Sequence, residues 1–209
     1  MSIEQFENKI INADCLDILK QLPDKCIDLV LTDPPYGLNK KFKGGKSGKM
    51  NFNSIVDKGW DFTPDKEVFE EIVRVSKNQI IWGGNYFADM LPPSRCWIVW
   101  DKMIAENFSL AMLELDYTSF DKNAKIFRYH SEKEFRLHPT QKPLKLFKKC
   151  IDEYSKEGDL IADLFSGSGT TAVACWELKR KFICVEKDPE YWKASIERLE
   201  NHKKQLCLF

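Results

Sequence analysis

The sequence predicts an α/β fold: one open, mainly parallel twisted sheet with helices on its faces and an antiparallel strand at one edge. Three observations carry this. Short apolar runs of strand length alternate with longer stretches whose apolar residues recur at helical spacing. Three of the runs end in an acid, at Asp14, Asp163 and Glu186, and a fourth is followed by Asp33. The chain also opens strand–helix–strand, the unit of a parallel sheet with a right-handed crossover.

In order, Lys9 to Asp14 reads as a strand ending in an acid, and Cys15 to Leu22 as a helix with Leu16, Leu19 and Leu22 in step, ended by Pro23-Asp24. Ile27 to Thr32 is the central strand. Thr63 reads as an N-cap with Pro64 at the first helical position, and Val68, Phe69, Ile72, Val73 and Val75 form that helix's apolar stripe. Gln79 to Trp82 is a strand closed by Gly83-Gly84, and Asn85 to Met90 a short helix. Cys96 to Trp100 is another buried strand. Leu113 to Phe120 and Ala124 to Tyr129 lack a following crossover helix, which predicts the antiparallel edge, as a strand pair or one bulged strand. Leu144 to Tyr154 is a helix, Leu160 to Leu164 a strand, Ala172 to Leu178 a helix, Lys181 to Glu186 a strand, and Pro189 to His202 a terminal helix. The 209 residues are expected to form one domain, 1–209, with no separate target-reading domain.

The stretch Thr32-Asp33-Pro34-Pro35-Tyr36-Gly37 ends the central strand abruptly. Neither proline can donate a ladder hydrogen bond, each fixes φ near −65°, and each pushes the residue before it away from the helical region. The product is a stiff corner holding a carboxylate, several carbonyls and an aromatic ring in fixed relation. Such a corner suits a flat ring bearing an amino group: the carboxylate and a carbonyl accept from the N–H bonds, and Tyr36 stacks on the face.

A second constellation, Asp163-Leu164-Phe165-Ser166-Gly167-Ser168-Gly169-Thr170-Thr171, lies between a strand and a helix. Its glycines allow a tight turn and close backbone approach, and the helix start offers free N–H groups. The next strand ends in Glu186, placed to accept from ribose hydroxyls. The Gly-Lys-Ser/Thr ending of a triphosphate loop is missing, as is the full G-x-G-x-x-G spacing. If the four acid-bearing strands are neighbours, their carboxylates line one crevice fit for an adenosine and a cationic centre.

Lys+Arg and Asp+Glu both number 32, so a nucleic-acid surface must be local. Two segments qualify. Residues 37–62 hold six lysines against Asp57 and Asp61, with no apolar period, and read as a basic flexible loop able to reach phosphates. Residues 121–150 hold nine Lys/Arg against three acids. No apolar run approaches the roughly 20 residues that span a membrane. Seven scattered cysteines, with no Cys-x-x-Cys, read as reduced thiols of an intracellular protein without a metal site.

Asp-Pro-Pro-Tyr-Gly, His-Pro-Thr-Gln-Lys-Pro (138–143) and Asp-Leu-Phe-Ser-Gly-Ser-Gly-Thr-Thr, in that order, resemble the β group of amino-group DNA methyltransferases. The resemblance runs from about Asn12 to Tyr191. It implies a Rossmann-like S-adenosylmethionine methyltransferase fold, circularly permuted so that the catalytic half precedes the cofactor half. It implies that Asp33, Pro34, Pro35 and Tyr36 hold the target amine, with Asp33 also beside the cofactor. Asp163, Phe165, Gly167, Gly169 and Thr170 would surround the cofactor's methionine part, Glu186 its ribose, and Asp14 and Cys15 its adenine. Lys142 would face the cofactor carboxylate. It further implies DNA as partner, a cytoplasmic enzyme of a bacterium or phage of the restriction–modification kind, and, since such relatives often dimerise, a homodimer. Asp before Pro-Pro-Tyr leans toward adenine over the cytosine 4-amino group in this family. An RNA adenine methyltransferase and a non-enzymatic nucleic-acid-binding module stay open as alternatives.

Overall fold

The computed structural model describes residues 2–38, 62–104, 111–130 and 141–206. Most of the basic loop 37–62, the His138-Pro139-Thr140 part of the proline-rich motif and Cys207 lie outside the described residues.

Eight strands form one sheet: β1 (Lys9–Asn12), β2 (Ile27–Thr32), β3 (Ser76–Ile81), β4 (Trp97–Asp101), β5 (Leu113–Thr118), β6 (Lys125–Arg128), β7 (Leu160–Asp163) and β8 (Lys181–Glu186). Their spatial order is β1-β8-β7-β2-β3-β5-β4-β6. β2 pairs in parallel with β7 on one edge and β3 on the other, and helices pack on both faces of the sheet, so its run is almost wholly apolar.

The antiparallel strand is present but is not at the edge. β5 runs antiparallel to β3 and to β4, between them, and the edge strand β6 runs parallel to β4. β5 and β6 are therefore not a hairpin: each pairs with the earlier strand β4. Their order along the chain carries no trace of a partner laid down before both.

Helices cover both faces. α1 (Cys15–Leu19) and α2 (Lys66–Val75) lie on one side, where Leu19, Phe69 and Ile72 pack with Ile27, Val30 and Ile183. α3 (Leu144–Tyr154), α4 (Thr170–Glu177) and α5 (Pro189–Leu206) lie on the other, where Phe147, Ile151 and Val173 pack with Leu29, Leu31 and Trp82. α2 starts at Lys66 with Asp65 as N-cap, two residues beyond the Thr63-Pro64 start read from the sequence. Thr63 packs against Gly37, beside the corner that follows β2, so the chain stays extended past Pro64. The expected helix after Trp82 is one 3-10 turn, Gly84–Tyr86. Among the described residues no helix is long and apolar enough to cross a membrane.

Candidate active site

The four acid-bearing strand ends are consecutive in space. β1, β8, β7 and β2 are neighbours, all parallel, so Asp14, Glu186, Asp163 and Asp33 follow one edge of the sheet. Between β7 and β2 the chain direction of travel reverses, since β7 leads outward to β8 and β2 outward to β3. Open α/β sheets bind ligands at such a point. There the two sequence-distant motifs touch: the Thr32 hydroxyl donates to Asp163 Oδ1 at 2.8 Å and accepts from Leu164 N at 3.1 Å.

On the β2 side, Pro34 is buried and Asp33 sits in a polar cluster. Asp33 Oδ1 accepts from the Tyr36 hydroxyl at 2.7 Å, and Oδ2 from Lys142 Nζ at 2.6 Å. Lys142 also lies 3.2 Å from the Tyr36 hydroxyl and 3.2 Å from Glu114 Oε2. Burial pushes the Asp33 carboxyl up, the Lys142 ammonium pulls it back, Glu114 pushes it up again, and the balance stands above the ordinary carboxylate range. The Tyr36 ring stacks on Tyr86, centroids 4.7 Å apart. One face of the ring that the sequence offers as a stacking platform is therefore taken by Tyr86. Gly83 (φ 64°) makes room for the Tyr36 ring, because a Cβ there would strike it.

Lys142 is paired within the protein. Its ammonium, read from the sequence as a partner for the cofactor carboxylate, is buried against Asp33 and Glu114.

On the β7 side, Asp163 is held entirely by the protein. It accepts from Thr32, from Phe165 N at 3.2 Å and from the Thr171 hydroxyl. Burial raises its carboxyl to about 6. The turn beyond it uses positive φ at Gly167 (48°) and Gly169 (74°), and a Cβ at Gly169 would come within 2.9 Å of Ser195 Cβ on α5. Gly167 N donates to Glu186 Oε2 at 2.7 Å, so the turn and the end of β8 are joined. Phe165 is half-buried beside the turn. Thr170 is buried, and its hydroxyl accepts from Arg198 at 3.0 Å. Its side chain thus faces α5, and what it can offer a ligand is the backbone of the helix start. At the far end Asp14 caps α1 through Leu16 N at 3.0 Å and pairs with Lys187 at 2.9 Å. Cys15 is buried, and burial pushes its thiol up to about 12.

Sequence reading missed Glu114, Asp116, Lys102 and Arg198. Asp116 is fully buried; one oxygen accepts from Gly83 N at 3.2 Å and the other has no partner, and burial holds the carboxyl well above its ordinary range. Lys102 pairs with Glu114 at 2.7 Å. The alternation Leu113-Glu114-Leu115-Asp116 was a signal, but it gives two faces without saying which is inside. Here the leucines are outside, at 48% and 39% exposure. The basic segment 121–150 is also less bare than its sum suggests. Lys125 and Lys149 pair with Glu153, Lys148 with Glu177 and Arg128 with Asp101, acids that stand outside the segment in sequence. Among the described residues no group of His, Cys, Asp and Glu could hold a metal, and the six described cysteines are free.

The fold has known counterparts. The chain is 27% identical to the type II methyltransferase M.HpaI of Haemophilus parainfluenzae, over 94% of this chain and 75% of that one. It is 26% identical to M.HinfI of Haemophilus influenzae, over 97% and 71%. Its fold resembles the M1.HpyAVI–SAM complex (TM-score 0.60, 24% identity, 91% of this chain and 98% of that one). It also resembles the cytosine-N4-specific PvuII DNA methyltransferase (TM-score 0.65, 16% identity, 94% and 91%). The DNA methylase family matches residues 91–197, just over half of the chain, a span that takes in β4 to β8, Lys142 and the glycine turn. The chain belongs to this family, the amino-group (N6/N4) DNA methyltransferases.

Proposed function

We propose that this protein transfers a methyl group from S-adenosylmethionine to the exocyclic amino group of adenine in DNA. The observation that carries the reading is the Thr32–Asp163 bond, which sets the Asp33 corner and the glycine turn on adjacent strand ends.

The residues on the β7–β8 side suit the cofactor. Two positive-φ glycines keep the turn free of side chains, Glu186 stands against that turn as an acceptor, and Asp14 lies one strand further on. In this reading Gly167, Gly169, Phe165 and the Thr170 backbone take the methionine part, Glu186 the ribose hydroxyls, and Asp14 and Cys15 the adenine. When bound, the cofactor supplies an electrophilic methyl on a sulfonium.

The β2 side acts on the amine. An aromatic amine is a poor nucleophile because its lone pair is shared with the ring. Asp33 and the Pro34 carbonyl accept from its N–H bonds, bias the nitrogen toward tetrahedral geometry and offset the positive charge that grows there. Pro34 and Pro35 hold those acceptors rigid before reaction, so that positioning supplies much of the remainder. The base must leave the duplex to reach them, and the Tyr36–Tyr86 rings are the surface on which it stacks. The Asp33-Pro34-Pro35-Tyr36 form of the corner favours adenine; the cytosine 4-amino group would fit the same acceptors.

Asp33→Ala is expected to abolish methyl transfer to duplex DNA while leaving S-adenosylmethionine binding within a few-fold of the parent. Continued methyl incorporation by that variant would remove Asp33 from the mechanism. Nucleoside mass analysis of DNA modified by the parent is expected to give N6-methyladenine; N4-methylcytosine would reverse the base assignment.

A further inference from the structure

Lys142 is a cation inside the amine site. Its Nζ touches Asp33, Tyr36 and Glu114, lies 5.5 and 5.7 Å from the Tyr36 and Trp82 ring centroids, and its side chain is 6% exposed. Asp33, at 17% exposure, is poorly hydrated. A carboxylate in such surroundings takes up a proton unless a cation stands against it. A protonated Asp33 would present an O–H in place of one acceptor and could not offset charge growing on the amine nitrogen.

We propose that Lys142 is a positioning residue of the amine site: its ammonium keeps Asp33 a carboxylate, and Glu114 on β5 is a second carboxylate that shares that ammonium with Asp33. This rests on Asp33 being the amine's acceptor, as proposed above, and adds the residue on which that acceptor depends. It also replaces the cofactor-carboxylate role that the motif resemblance implied.

The charged and titratable groups facing Asp33 come from every side. They are Tyr36 on its own turn, Lys142 ahead of α3, Glu114 and Asp116 on β5, and Asp163 on β7. Lys102 stands one step back, on Glu114. Of these, Lys142 pulls the Asp33 carboxyl down and Glu114 pushes it up. The two residues therefore act on Asp33 with opposite signs, which makes the idea testable by direction.

The experiment is the pH dependence of single-turnover methyl transfer to duplex DNA, from about pH 5 to 9.5, with cofactor affinity measured by calorimetry on the same proteins. Lys142→Met retains an unbranched chain that packs well between the Trp82 and Tyr36 rings. Without the ammonium, the acid limb of the profile is expected to move up by about one to three pH units. Activity then falls tenfold or more at neutral pH and recovers toward the alkaline end, with S-adenosylmethionine affinity unchanged. Glu114→Gln is expected to move the limb down, and Lys142→Arg to keep it near the parent's. A loss in Lys142→Met that is equal at every pH overturns the proposal, as does weakened cofactor binding with the limb unmoved. If Lys142→Met does not fold, an upward movement in Glu114→Gln overturns it just as well. Full activity in Asp33→Ala would instead defeat the functional reading beneath it, and that result is separate from any of these.

Discussion

Asp163 accepts from Thr32 on β2, from Phe165 N in its own turn and from Thr171 on α4, so one carboxyl ties three elements. Its position at a strand end was readable, but its partner on β2 was not, because Thr32 lies 131 residues away in sequence. Burial raises its carboxyl from 3.8 to about 6. The folded form thus binds the proton more tightly than the unfolded chain. The resulting stability is fully present below pH 3.8 and is lost as pH rises through about 6. At 3% exposure, solvent does little to screen it, and the loss amounts to roughly 3 kcal/mol. Asp163→Asn keeps an acceptor for Thr32 and Phe165 N but cannot titrate. Urea unfolding between about pH 4 and 7 should therefore show a flatter slope than the parent. An unchanged slope would assign that titration to another group.

β5 shows what an element's pattern leaves open. Leu113 to Asp116 alternates apolar and charged residues, and an alternating strand is ordinarily read with its apolar face inward. Here Glu114 and Asp116 point inward beside Lys142, while Leu113 and Leu115 point out. Register places Leu115 opposite Val99, and Val99 opposite the exposed Ile126, but Glu114 lies opposite Trp100 and Asp116 opposite Ile98, both buried, so the inversion is confined to β5. The two inward acids are answered differently: Glu114 by Lys102 and Lys142, Asp116 by burial that pushes its carboxyl well above the ordinary range. Because burial raises the Asp116 carboxyl, its contribution to stability is lost as pH climbs through that raised value. Asp116→Asn keeps the acceptor for Gly83 N and removes the titration. It should melt within about 1 kcal/mol of the parent at neutral pH, with the difference turning further in its favour in alkaline solution. A variant that loses ground as pH rises would show that Asp116 is ionised in the folded protein.

The whole sheet is assembled out of sequence order: β7 and β8, from the last third of the chain, separate β1 from β2. A fragment of residues 1–158 should keep β2 to β6 but lose β8, the strand that pairs with β1, and expose the β7-facing edge of β2. Such an edge pairs with other chains. The fragment is expected to aggregate and bind no S-adenosylmethionine, and adding residues 159–209 in trans should restore binding; a monomeric fragment with cofactor affinity would contradict this. The sequence by itself determined the α/β class, nearly every strand and helix, the stiff Asp33 corner and the glycine turn. Each of those depends on neighbours a few residues apart: proline's missing donor, glycine's freedom at positive φ, and apolar spacing of two or 3.6. Only the tertiary structure decided that β5 lies inside the sheet with its acids turned inward, that Lys142 is buried on Asp33, and that Thr32 meets Asp163. Those depend on which strands become neighbours, and a pairing between residues more than 100 positions apart is chosen by the packing of the whole sheet.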